Sequence, residues 1–186
     1  MANVDSPFGF KPIRYRSGAP YNGAANLYYF PTGDTTAAFV GDLVTLATSF
    51  YKLPEGVPMC KQAAATATTL LGVVVSILPN DASDTVYRKA SEGRYALVAD
   101  DPNLVFEAQY TGTLLASQMF YYCDVTVGTG STVTGISAME VNHSGIVTTT
   151  MQLHIVGISS KPNNTATDAN PVLEVTIHEH AHKFAA

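Results

Sequence analysis

Two stretches decide the class of fold: MQLHI at residues 151–155 and LEVTIH at residues 173–178. In the first, Met151, Leu153 and Ile155 fall on one face, with Gln152 and His154 on the other. In the second, Leu173, Val175 and Ile177 oppose Glu174, Thr176 and His178. A period of two belongs to a strand with one face on a core. Outward from these stretches the same residue types recur, and Thr, Val, Tyr and Ile favour strands. Further strands are predicted at 26–30, 39–46, 70–78, 94–99, 104–109, 120–127 and 132–137. Turn chemistry separates them, as in Pro31-Thr32-Gly33-Asp34, Pro54-Glu55-Gly56, Pro79-Asn80-Asp81 and Asp101-Pro102-Asn103. About ten short, closely spaced strands predict an all-β domain, a single jelly-roll-like sandwich or barrel. Strand count alone does not separate sandwich from barrel. Helix is minor: 113–119 suits one or two turns, and 63–69 is Ala-rich but its threonines suit a loop or strand equally.

Composition narrows the function classes. The 186 residues fit one domain, or one domain with arms. Hydrophobic residues make up 46%, enough for a core, and charged residues only 13%, about half the usual share. The formal charge of −5 argues against a nucleic-acid coat or a membrane-surface role, which need clustered positive charge. The longest apolar run, TLLGVVVSIL, stops after ten residues and cannot span a bilayer as a helix. The start, MANVDSPFGF, lacks the basic and apolar regions of a signal peptide, so a soluble, cytoplasmically made chain is expected. Cys60 and Cys123 lie far apart and read as buried free thiols in a reducing compartment, with a disulfide left open.

The first twenty residues differ from the rest. They hold Pro7, Pro12 and Pro20, the bases Lys11, Arg14 and Arg16, and the aromatics Phe8 and Phe10. Prolines oppose a central strand, and exposed aromatics are costly. The expectation is an extended N-terminal arm over 1–20, lying on its own domain or on a neighbouring subunit, and a β domain over 21–186.

Few residues suggest chemistry. At strand spacing, His178, His180 and His182 would share one face, and imidazoles at i and i+2 can chelate a metal. That face also carries Glu174 and Thr176, so a solvated strand face is the stronger reading. The spacing is not HExxH. Asp100 and Asp101 before Pro102 read as a turn rather than an acid-base pair. No GxSxG elbow or phosphate-binding loop occurs. In the pairs Tyr28-Tyr29 and Tyr121-Tyr122, one ring can pack inward while the other looks out, where tyrosine suits protein interfaces.

Several pieces together resemble a group of tailed-bacteriophage virion proteins, the small β-rich capsid cement or head decoration proteins. The pieces are Pro7-Phe8-Gly9 with Pro12 and Arg14, then Gly41-Asp42-Leu43-Val44 and Leu71-Gly72-Val73-Val74. They continue through Tyr95-Ala96-Leu97-Val98-Ala99-Asp100-Asp101-Pro102, Gly130-Ser131-Thr132-Val133-Thr134-Gly135 and Lys161-Pro162-Asn163-Asn164. These are turn-and-strand patterns spanning most of the chain, and none is a catalytic signature. The C-terminal histidine run departs from the group. The resemblance implies a structural protein, not an enzyme, on the outer surface of the capsid in the virion. It would stabilise the shell by bridging capsid subunits. Its partner would be the major capsid protein, with no cofactor, no nucleic acid and no membrane. A homotrimer is favoured, with a dimer next. Phe8, Phe10, Arg14, Arg16 and Tyr21 are the expected capsid-binding residues. The alternatives are another virion part (tail tube, head completion or spike protein) and, less favoured, a cupin-like metal enzyme.

Overall fold

The computed structural model describes residues 3–183, apart from the side chains of Ser49 and Phe50. In chain order the strands are β1 (Lys11–Tyr15), β2 (Asn26–Phe30), β3 (Leu43–Lys52), β4 (Val57–Gln62), β5 (Gly72–Ile77) and β6 (Arg94–Ala99). They continue with β7 (Leu104–Gln109), β8 (Tyr122–Cys123), β9 (Val125–Thr126), β10 (Glu140–Val141), β11 (Leu153–Ile158) and β12 (Val172–Ile177). Strands β2 to β6 close into a barrel in the order β2-β4-β3-β5-β6. A five-stranded sheet, β1-β7-β12-β11-β8, lies beside it, and β9 pairs with β10. The all-β, single-domain expectation holds, and the closed part is a barrel.

The barrel and the sheet share a wall. In β3, Leu43 packs into the cluster beneath the sheet and Val44 into the barrel interior. In β5, Val73 and Val74 divide in the same way. A strand buried on both faces reads as a continuous apolar run, which is how 70–78 reads. The inner face of the sheet completes the first cluster with Phe106, Leu153, Ile155, Leu173, Val175 and Ile177. The two alternating stretches therefore pair directly: Leu153 faces Ile177 and Ile155 faces Val175 across β11 and β12.

Several boundaries differ from the expected ones, for local reasons. Residues 39–42 form a turn instead of opening a strand, because Gly41 takes φ +96°. The expected strand at 132–137 is a turn, closed by the Ser131 amide donating to Ile136 O at 2.8 Å. The stretch 120–127 divides into β8 and β9. Strands β1 and β4 were not expected, since each holds a proline. Pro12 is tolerated because β1 is a sheet edge. In β4, which holds Pro58, the pairing with β2 is confined to Tyr29 and Met59. Among the described residues, helix is limited to one 3-10 turn at Ala116–Gln118.

The N-terminal segment is extended and lies on its own domain. Asn3 Nδ2 donates to Thr165 O at 2.9 Å, and Ser6 N donates to Gln109 Oε1 at 2.9 Å. Gln109 Nε2 returns a bond to Val4 O at 2.8 Å. Strand β1 then pairs with β7 of the same domain. Residues 1–2 of the expected arm and 184–186 of the expected domain lie outside the described residues.

Two arginines are buried beside the barrel strands. Arg88, fully buried, donates to Pro31 O at 2.7 Å, Asp34 O at 2.8 Å, Glu92 O at 2.7 Å and Thr36 O, and pairs with Asp34 at 3.2 Å. Arg94 donates to Leu78 O at 2.9 Å. Removing one partner of a buried charge network leaves the rest unpaired. Arg88→Met should therefore cost about 3 kcal/mol in urea denaturation at neutral pH. A loss below about 1 kcal/mol would show that these carbonyls are satisfied without it.

Candidate functional site

A groove runs along the seam between the N-terminal segment and the barrel, with a cavity of about 600 Å³. Phe8, Phe10, Pro12 and Tyr21 line it from the N-terminal side, together with Val40, Val75 and Ile136. The local sequence explains the seam. Phe10 N donates to Gly41 O at 2.8 Å, and Gly41 N donates to Val74 O at 2.8 Å. Gly9 is pressed against Gly41 and Ser137: a Cβ on Gly9 would lie 2.6 Å from Gly41 O. At φ +73° only glycine is comfortable there. Lys11 and Lys161 stand at the rim. Lys161 lies 4.9 Å from the Phe8 ring centroid and pairs with Glu107 at 2.5 Å, which also accepts from Ser159 Oγ at 2.6 Å.

The surface beside the groove is apolar. Ile136 is 44% exposed, and Val133, at the tip of the 131–136 turn, is 85% exposed. Val86 is also exposed, and its carbonyl backs onto Gly135. Such an arrangement can bury apolar side chains and pair a carboxylate at the rim.

The structure thus divides the five expected docking residues. Phe8, Phe10 and Tyr21 meet at the groove, and Arg14 and Arg16 line a separate cavity of about 280 Å³ on the sheet. Two of the five are engaged within this chain. Phe10 is 1% exposed in this chain's own core, so it offers almost no surface as an anchor. Arg14 is held at 2.6 Å by Glu174 of its own sheet. Sequence reasoning missed Val86, Val133 and Ile136; the signal was apolar residues inside turn-forming stretches, where polar ones are usual.

The three terminal histidines do not share one face, because β12 ends at Ile177 and the chain turns. His178 packs edge-on to Tyr122, with ring centroids 4.7 Å apart. His180 instead enters the barrel end, where Leu70 N donates to Glu179 O and Ala181 N to Leu70 O, both at 2.8 Å. His182 N donates to His180 Nδ1 at 3.0 Å. Among the described residues no group of three His, Cys, Asp or Glu side chains could hold a metal ion. The chain's other two histidines lie apart: His143 bonds the Tyr110 hydroxyl at 2.9 Å, and His154 bonds Phe120 O at 3.1 Å.

The other sequence candidates are structural. Asp100 accepts from Tyr28 Oη at 2.7 Å and from Asn26 Nδ2 at 2.9 Å, while Asp101 closes its turn by accepting from Asn103 N at 2.7 Å. Tyr28 points inward and Tyr29 outward, as adjacent strand residues must. Cys60 and Cys123 are free, buried and in different clusters. Burial pushes both thiols up, Cys123 to about 12, so neither is a nucleophile.

Comparison with family models, with curated proteins and with solved structures finds no match to this chain.

His180 makes the fold acid-sensitive. Burial, and then His182 and Lys183, push its imidazole down to about 4. The folded state thus keeps it neutral, while the unfolded chain takes up a proton below about 6.5. The associated stability is complete above pH 7 and falls as the pH drops toward 4, by up to about 3 kcal/mol. Thermal melts should show this fall in the wild type and a flatter profile in His180→Gln; equal slopes would show that His180 is not the sensor.

Proposed function

We propose that this chain is a bacteriophage capsid decoration protein that docks the groove face onto the outer surface of an assembled shell. The observation that carries the reading is the apolar groove, rimmed by Lys11 and Lys161 and flanked by exposed Val86, Val133 and Ile136. Apolar surface of this kind on a thinly charged domain marks a protein-binding site. The sequence pieces that resemble the cement group support the same reading, and they also build the seam. Pro7-Phe8-Gly9 crosses Gly41-Asp42, and the Val40 amide donates to Gly135 O at 2.9 Å.

The occupant of the groove is an apolar segment of the major capsid protein with a carboxylate beside it. The apolar part enters between Phe8 and Ile136, and the carboxylate meets Lys11. The work is thermodynamic. A protein that binds only the assembled shell stabilises that shell by mass action. An ordinary contact of roughly 1,200–2,000 Å², repeated over many sites, suffices. Self-association as a trimer or dimer belongs to this proposal.

Quantitative mass spectrometry of purified virions tests it. A copy number near that of the major capsid protein is expected. A handful of copies would move the chain to a tail, head-completion or spike role, and absence would end the virion reading. In shell co-sedimentation, Ile136→Asp should weaken binding at least roughly tenfold with an unchanged melting temperature. Wild-type binding by that variant would take the groove out of the interface.

A further inference from the structure

A second surface lies on the outer face of the sheet, where β1, β7, β11 and the turn before β8 meet. Its cavity, about 280 Å³, is lined by Arg14, Arg16, Val105, Phe120, His154 and Val156. That volume is small for a cofactor and suits a side chain.

Phe120 is the unusual member. The amide of Tyr121 donates to Gln118 O at 3.2 Å, Met119 has φ −60° and ψ 137°, and Phe120 follows at φ +66°. This is a type II turn, whose third residue is ordinarily glycine. A bulky residue at positive φ is strained by about 1–3 kcal/mol. The strain is not offset by burial, since Phe120 is 63% exposed. The chain thus holds a strained aromatic ring at its surface, beside a cavity.

The charge around that ring is unbalanced. Arg14 is neutralised by Glu174. The Arg16 backbone is fixed by a 2.8 Å bond to Asn103 O, but its exposed guanidinium has no hydrogen-bond or ion-pair partner among the described residues. Lys183 Nζ donates to two backbone carbonyls, Ile177 O at 2.8 Å and His178 O at 3.1 Å. His154 and His178 stack on either side of Tyr122. Burial first holds both imidazoles below their usual range; Arg16, His178 and Lys183 add to this at His154, against the bond to the Phe120 carbonyl, and Lys183 and Arg16 add to it at His178. In a chain of net charge −5, this corner is a local excess of positive charge beside apolar surface.

We propose that this corner docks an acidic segment of a partner protein, with a carboxylate on the Arg16 guanidinium and an adjacent apolar side chain against Phe120 and Val156. Charge complementarity selects the carboxylate, and the strained exposed ring supplies the apolar contact typical of interface anchors. A nucleic-acid backbone fits less well, because one free guanidinium on an acidic chain cannot offset repulsion from a polyanion. The site is distinct from the groove and stands independently of the capsid reading.

The test uses the full chain, labelled with nitrogen-15 and titrated with the blocked peptide acetyl-Leu-Asp-Glu-Leu-amide. Amides at Arg16, Phe120 and His154 should shift, with a Kd of about 1 mM or tighter that weakens as salt rises. The isosteric Leu-Asn-Gln-Leu peptide should bind at least roughly tenfold more weakly. Phe120→Gly should lose the binding and keep or raise the melting temperature, because glycine relieves the turn. Arg16→Glu, at an exposed side chain, gives a second variant that should also lose binding without loss of fold. Equal binding of the two peptides, shifts mapping elsewhere, or retained binding by Arg16→Glu would overturn the proposal. Tighter binding of a thymidine oligonucleotide would overturn it in favour of a phosphate site.

Discussion

The crossing of Gly9 over Gly41 is the contact on which the rest of the molecule depends. Two backbones approach so closely that a Cβ on either residue would meet backbone of the other segment within about 3 Å. One hydrogen bond, Phe10 N to Gly41 O, is made across it. Beneath it lies Asp42, fully buried, whose Oδ2 accepts from Phe39 N at 2.9 Å and Gln62 Nε2 at 2.8 Å. Burial raises the Asp42 carboxyl above its usual range, and the nearby Ser137 hydroxyl with the bonds from Gln62 and the Phe39 amide pulls it partly back. The crossing sets Phe10 into the core, aims β1 along β7, and leaves the apolar seam open on the other side.

That crossing ties the N-terminal segment to a barrel and a sheet that are packed together. The barrel and the sheet share the wall built by Leu43-Val44 and Val73-Val74, so neither could keep its core without the other. The C-terminal segment closes the remaining end through Leu70. Surfaces carried on such a frame are preorganised, and a partner pays little ordering entropy to bind them. The proposed docking therefore rests on fixed grooves and turns rather than on a reaching arm.

Much of this architecture is legible in the residues, and the failures have physical causes. Strands β11 and β12 are readable because one face is buried and the other is not, so their side chains alternate. The shared wall is readable as a continuous apolar run. Strand β1 hides because Pro12 argues against a strand, and only its place at a sheet edge removes the objection. The turn at 131–136 hides because Val133 and Ile136 look like strand residues, while Gly135 at φ +73° decides otherwise. Of the candidate sites, the aromatics of the first twenty residues were visible, but not that Phe10 serves this chain's own core. The histidine run misleads because periodicity assumes a strand continues, and β12 stops one residue before it.

The N-terminal segment is part of the domain and builds the face proposed to dock. Native-state hydrogen exchange at the Phe10 amide tests this most directly, since that amide is donated across the crossing. Protection close to that of the barrel and sheet strands is expected, because opening the crossing exposes the shared core. Exchange within about tenfold of an unstructured peptide would contradict it, and would mean that the segment is a free arm.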